Sequence, residues 1–214
     1  MTFLNFLTNN LIILNYPTHA GGKFIANCLA ISPTFLHQHK DLAKNKINEN
    51  WNETKSYNIS KSIFKNQKNT NQHFELGCVE LSGFFYRNSI NEQKQKVYES
   101  FKWLTNQSKY LFCLTNHYNN NAWAHFKNAI HIFFRNYKTI LKKRNAGSFI
   151  QQHDMSTFPK NYLEFDMNTV FNKNEFKTEI KKINENLNIK INNFDLIENL
   201  RCEFLNTFKI GYIK

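Results

Sequence analysis

Lys23 is the first residue of this chain placed to do chemistry. It follows two glycines in Pro17-Thr18-His19-Ala20-Gly21-Gly22-Lys23-Phe24. The run before it, Leu11 to Leu14, is short and apolar, as a parallel-sheet strand would be. Pro17 stops that run, and Gly21 and Gly22 allow a sharp turn and a close approach of backbone to a bound group. Phe24, Ile25, Cys28 and Leu29 then recur at helical spacing. A helix that opens just after Gly-Gly-Lys aims free N–H groups and a positive dipole end into the loop, which is an anion site, most often for phosphate. The stretch is not a full Walker A motif, which has Gly where Pro17 stands and Ser or Thr where Phe24 stands. Taken alone it also suits a plain tight turn in an α/β domain.

Two further groups fall at the ends of apolar runs. Lys109 to Thr115 reads as a buried strand that runs into Asn116-His117, and Ala129 to Phe134 as another that ends at Arg135-Asn136. In open parallel sheets ligands bind beyond the carboxyl ends of the strands. The Thr18 to Lys23 loop, His117 and Arg135 are therefore expected to converge. A histidine titrates near neutral pH and suits a general base, while an arginine forks onto phosphate oxygens. Plain structural roles stand beside these. His117 equally suits capping a strand end, Arg135 an ion pair with Asp166, and Lys142 to Arg144 a solvated helix face. His131, alternating within its strand, reads as structural.

The elements that must position these groups alternate along the chain. A polar, Asn- and Lys-rich stretch at about 40–85 reads as a helical insertion facing the substrate, with a short strand or turn within Phe74 to Phe85. Ile90 to Leu104 has a single apolar helical face, and Ala122 to Asn128 suits a short helix. Tyr137 to Arg144 starts a helix with Ile140 and Leu141 inward. Tyr162 to Phe165 reads as a fourth strand ending in Asp166. Asn174 to Leu187 and Phe194 to Phe208 each carry an apolar helical stripe. Strands alternating with helices imply βαβ units and a parallel sheet. The expected fold is α/β, three layers (α/β/α) around a central, mainly parallel sheet, in one domain spanning 1–214.

Composition narrows the partners. A hydrophobic share of 41% excludes a disordered chain, and 214 residues suffice for one real core. The net charge of +12 favours anionic partners. Nucleotides, nucleic acid, sulfated glycans and anionic lipid all qualify, with nucleic acid the lesser candidate because the lysines are spread rather than bunched. Met1 to Leu14 lacks a basic start and a cleavage site for a signal peptide, and no other run approaches membrane-spanning length. Cys28, Cys78, Cys113 and Cys202 form no CxxC pair or zinc spacing. Reduced core cysteines, no metal site and a cytoplasmic location are the expectation.

Four segments together resemble the P-loop sulfotransferases, and among them the small divergent bacterial and phage types. Tyr16 to Leu29 resembles the loop that grips a 5′-phosphosulfate. Leu114-Thr115-Asn116-His117 resembles the family's strand ending in Thr-His, here split by Asn116. Ile130 to Asn136 resembles the strand ending in Arg-Asn that holds a 3′-phosphate, and Tyr162 to Asp166 with the helix to Leu187 resembles the late strand and helix. The resemblance implies 3′-phosphoadenylyl sulfate (PAPS), or its product PAP, as cofactor, and an acceptor hydroxyl as the second substrate. It implies that Thr18, His19, Ala20, Gly21, Gly22, Lys23 and Phe24 hold the phosphosulfate, with Lys23 offsetting charge on the leaving phosphate. Arg135 would hold the 3′-phosphate and His117 would take the acceptor's proton. Where the family commonly has a serine on the 3′-phosphate, this chain has Lys142 and Lys143, of which Lys143 is the candidate. Where the family has an early loop Lys or Arg, it has His19. Trp51 and Trp123 are candidates for stacking on adenine.

Two other functions share these residues. A nucleotide kinase or other NTP-using P-loop enzyme would use Gly22-Lys23 and place Asp166 near a metal, although Phe24 removes the hydroxyl that normally holds Mg²⁺. A non-catalytic binding protein on the same fold, phage-encoded or virion-associated, would suit the altered loop and the split Thr-His.

Overall fold

The computed structural model of the chain describes residues 11–17, 19–32, 78–80, 112–116, 129–146, 159, 162–191 and 193–209. Thr18, His117, Trp51, Trp123, the expected helices at 90–104 and 122–128 and nearly all of the 40–85 insertion lie outside them. The described chain runs β1 (Leu11–Asn15), α1 (Gly22–Ala30), β2 (Cys78–Glu80), β3 (Phe112–Asn116), β4 (Ile130–Arg135), α2 (Lys138–Lys143), β5 (Tyr162–Asp166), a 3-10 turn (Met167–Phe171), α3 (Lys173–Leu187) and α4 (Phe194–Lys209).

The strands form one sheet in the order β2-β3-β1-β4-β5. Every pairing among them is parallel. The four strands read from the apolar runs are all present. The fifth, β2, falls within Phe74 to Phe85, where a short strand or turn is expected, and extends the sheet beyond β3. β1 sits at the centre, with Ile13 opposite His131 of β4 and Leu114 of β3.

Period-two alternation sorts the central strands into two faces. One face presents Ile12, Leu14 and Tyr16, continued by Ile132 and Phe134 of β4 and by Phe165 of β5, and all of these are buried in a single core. Against this face pack Phe24, Ile25, Cys28 and Leu29 of α1, Ile140 and Leu141 of α2, Phe176, Ile180 and Ile183 of α3, and Ile197, Leu200 and Phe204 of α4. The opposite face presents Ile13, Asn15, His131 and Phe133, which are buried too. Its polar centre is satisfied internally, since Asn15 Nδ2 lies 3.2 Å from the Ile13 carbonyl and 3.3 Å from His131 Nδ1. His131 is structural, as its place within a strand suggests.

Local chemistry sets the helix ends. Asn172 caps α3 by accepting from the Asn174 and Glu175 amides at 2.9 and 3.3 Å. Asn188, in the left-handed region at φ 50°, ends it. α2 closes in the same way, with Asn145 at φ 52° and the Ala146 amide reaching back to the Leu141 carbonyl at 2.8 Å. One cysteine departs from expectation. Cys28 is buried, but Cys202 is exposed, because it stands on the opposite side of α4 from the stripe of Ile197, Leu200 and Phe204.

Candidate functional site

After β1 the chain crosses towards β2 at one edge of the sheet, and after β4 it crosses to β5 at the other. β1 and β4 are neighbours, so the direction of winding reverses between them. In α/β sheets such a reversal is where ligands bind, beyond the carboxyl ends of the strands. The residues that follow β1 are the Pro17 to Phe24 loop, and the residue that ends β4 is Arg135.

The loop is a tight turn built on two left-handed residues. The Ala20 amide donates to the Pro17 carbonyl at 3.0 Å. His19 has φ 69° and Gly21 φ 93°. Gly21 stands at the N-cap of α1 and has no side chain to cap it. Lys23, at the second helical position, is half-buried. Phe24 points into the core, stacked on Phe204 at 4.2 Å and on Phe176 at 5.6 Å between centroids. The position that would carry a magnesium-binding hydroxyl in a Walker A loop is thus a core anchor, and its ring fixes the first turn of α1.

The two glycines answer to the chain's own rings. A Cβ on Gly22 would stand 1.9 Å from the Tyr16 ring, and one on Gly21 would stand 2.7 Å from the Phe204 ring. Tyr16 in turn stacks on Phe134 at 5.4 Å. Beside the sharp turn and the close approach to a bound group, aromatic packing gives these glycines a further physical reason.

A second cation joins Lys23 beside His19 at this loop, and sequence reasoning missed it. Arg144 follows α2 and is half-buried. Its guanidinium donates to the His19 carbonyl at 3.3 Å and to Thr207 Oγ1 of α4 at 3.0 Å. It also lies over the rings of Phe204 and Phe208, at 4.6 and 5.1 Å from their centroids. In the sequence Arg144 is the last of three basic residues, which reads as a solvated face. Only the apolar spacing of Phe204 and Phe208 on α4 could have hinted at its cover. Burial, then the charges of Arg144 and Lys23, push the His19 imidazole below its ordinary pKa of 6.5. Basic groups drawn together against their own repulsion favour an anion between them.

Arg135 lies in a different setting. Its side chain is 51% exposed and forms an ion pair with Glu164 at 3.0 Å, with Asp166 3.8 Å from Nε. Asp166 is engaged elsewhere as well, accepting from Asn136 Nδ2 at 2.8 Å and from the Asn168 amide at 2.9 Å. The ion pair with a neighbouring strand end, weighed as an alternative in the sequence, is present, with Glu164 as the nearer partner. Lys142 and Lys143 are exposed. Arg135 precedes α2 and Lys143 is its last residue, and the helix itself is six residues long, about 9 Å of rise. Of the sequence-predicted residues, the structure thus brings His19, Ala20, Gly21, Gly22, Lys23 and Phe24 into one loop. It sets Arg135 among carboxylates at the head of α2 and Lys143 at its end, beside Arg144.

Among the described residues no group of three or more His, Cys, Asp or Glu is placed to hold a metal, and no helix is long and apolar enough to cross a membrane. Compared with family models, with curated proteins and with solved structures, the chain matches none of them.

Proposed function

We propose that this chain binds a phosphorylated nucleotide at the Pro17 to Phe24 loop, and that the nucleotide is PAPS, whose sulfuryl group passes to an acceptor hydroxyl. One observation carries the reading: His19, Lys23 and Arg144 gather at a strand–turn–helix loop beside the point where the sheet reverses direction. The donor set fits an anion with several oxygens. Backbone amides from Ala20 to Phe24 and the Lys23 ammonium would hold the 5′-phosphosulfate. Lys143, beside Arg144, is better placed for the 3′-phosphate than Arg135, whose neighbours Glu164 and Asp166 would repel it. Bound PAPS supplies an activated sulfuryl group. Its transfer breaks the sulfur–oxygen bond to phosphate and forms one to the acceptor oxygen. The hydroxyl proton passes to His117, which lies outside the described residues. Phe24 brings no hydroxyl for magnesium, which favours this reading over a kinase. A sulfotransferase-like P-loop fold in three layers agrees with the parallel sheet and with burial on both of its faces. A cytoplasmic setting agrees with buried, unpaired Cys28.

The test is thermal unfolding of the full chain with PAPS, PAP, ATP with Mg²⁺, or inorganic phosphate. A ligand at a hundred times its Kd stabilises by about 2.7 kcal/mol. Stabilisation by PAPS and PAP beyond that by phosphate supports the reading. Stabilisation by ATP with Mg²⁺ alone replaces it with the kinase. Binding of PAP with no transfer to any hydroxyl would leave a non-catalytic binding protein, a reading that the carboxylates around Arg135 favour.

A further inference from the structure

Among the described residues β5 is the last strand on its side of the sheet and pairs with β4 alone. An edge strand turns the amide and carbonyl of every second residue away from its neighbour, and that row is a template for another chain. β5 carries Tyr162 and Phe165, residue types that favour strands. Two of its outward groups are nevertheless occupied, both by side chains of α3. The Glu164 carbonyl accepts from Lys182 Nζ at 3.1 Å, and the Asp166 amide donates to Glu179 Oε1 at 2.9 Å. Lys182 also donates to that same Oε1, at 3.0 Å. Glu179 is 8% exposed, at a depth where a carboxylate is costly unless it is paired and hydrogen-bonded. Past Asp166 the chain leaves the edge, its carbonyl taken by Thr169 Oγ1 at 2.6 Å.

The pattern is that of a strand pairing. In a parallel ladder one residue of the next strand donates its amide to the carbonyl of residue i−1, and its carbonyl accepts from the amide of residue i+1. Lys182 Nζ donates to the Glu164 carbonyl and Glu179 Oε1 accepts from the Asp166 amide. The two side chains thus supply the donor and the acceptor of one such residue, on either side of Phe165. They stand one turn apart on α3 and are tied to each other. We infer that the Glu179–Lys182 pair stands in for a further strand, closing the β5 edge and keeping a second copy of this chain from adding a strand there. A second copy is the occupant excluded, because its own β5 carries the same outward groups and like surfaces meet about a two-fold axis. A plain surface ion pair accounts for neither the burial of Glu179 nor its bond to a strand amide. The inference is independent of the nucleotide reading of the loop.

The experiment is sedimentation velocity of the full chain over a range of concentrations, with thermal unfolding as the check on folding. Glu179→Ala combined with Lys182→Ala bares the edge, and alanine keeps α3 helical. The weight-average mass of this double variant should rise with concentration beyond that of the unaltered chain. Adding Glu164→Pro, which removes an outward amide and sets a ring on the edge, should return the mass to the parent value. Lys182→Ala alone alters a side chain that is 43% exposed and should shift the mass in the same direction to a smaller extent. Where the double variant does not fold, this single variant decides. A folded variant with the parent's mass at every concentration overturns the inference. Association that survives Glu164→Pro overturns it too, because another surface would then be responsible. So does self-association of the unaltered chain that Glu164→Pro abolishes, since the edge would then be open with the pair in place.

Discussion

The guanidinium of Arg144 donates to the backbone carbonyl of His19 across 3.3 Å, joining the end of α2 to the left-handed corner of the β1–α1 loop. The same side chain holds Thr207 on α4, so one residue ties the loop to two helices. Arg144→Ala removes two hydrogen bonds and the cover over Phe204 and Phe208. We expect a loss of about 2–3 kcal/mol in chemical denaturation. Arg144→Lys should recover little of it, because an ammonium cannot fork between the two acceptors.

His19 gives the loop a pH dependence of defined sign. Burial and the charges of Arg144 and Lys23 lower its folded pKa below the ordinary 6.5. Below that pH the unfolded chain takes up the proton first, so stability falls as pH drops and levels off beneath the folded value. A dianion in the loop offsets both charges and restores the proton, so its binding takes up protons. Sulfate affinity should therefore rise as pH falls from 7 to 5, measured by titration at constant ionic strength. His19→Asn tolerates the left-handed backbone and cannot titrate. It should flatten that rise, and an unchanged slope would remove His19 from the site.

Gly22 tests the packing account of the loop. Gly22→Ala drives a methyl into the Tyr16 ring and should cost about 3 kcal/mol or more through overpacking. Tyr16→Ala is costly alone, but in the double variant the two losses should fall well short of their sum. Additive losses in denaturant titrations would show that the ring is not what excludes the side chain.

Arg135 and Lys143 separate by ligand. Arg135→Ala removes a half-exposed ion pair with Glu164 and should change stability by less than about 1 kcal/mol, leaving PAP affinity nearly intact. Lys143→Ala should weaken PAP several-fold. The reverse ranking in PAP titrations would return the 3′-phosphate to Arg135.

Much of this fold is legible in the chain because each apolar run obeys one period. Ile12 to Leu14 and His131 to Phe134 are buried on both sides and read as continuous strands, while Phe176, Ile180 and Ile183 repeat at helical spacing on α3. β2, only three residues long at Cys78–Glu80, falls within the apolar Phe74 to Phe85 segment that reads as a short strand or turn, and its brevity is why the two are not separable in the sequence. Lys23 and the glycines announce a turn that could take an anion. Nothing local announces Arg144, whose role comes from Phe204, Phe208 and Thr207, some sixty residues later in the chain. Arg135 shows both sides of its sequence reading: it stands at a strand end that suits a ligand, and the pairing of β5 with β4 sets Asp166, the partner weighed in the sequence, and Glu164, which the sequence does not single out, beside it.

The central claim is that the β1–α1 loop is a nucleotide phosphate site, and titration of PAP into the unaltered chain and into Lys23→Ala tests it most directly. The prediction is saturable binding to the unaltered chain and affinity about tenfold weaker in Lys23→Ala, the scale of one charged hydrogen bond. No binding to the unaltered chain, or equal affinity in both, would contradict the claim.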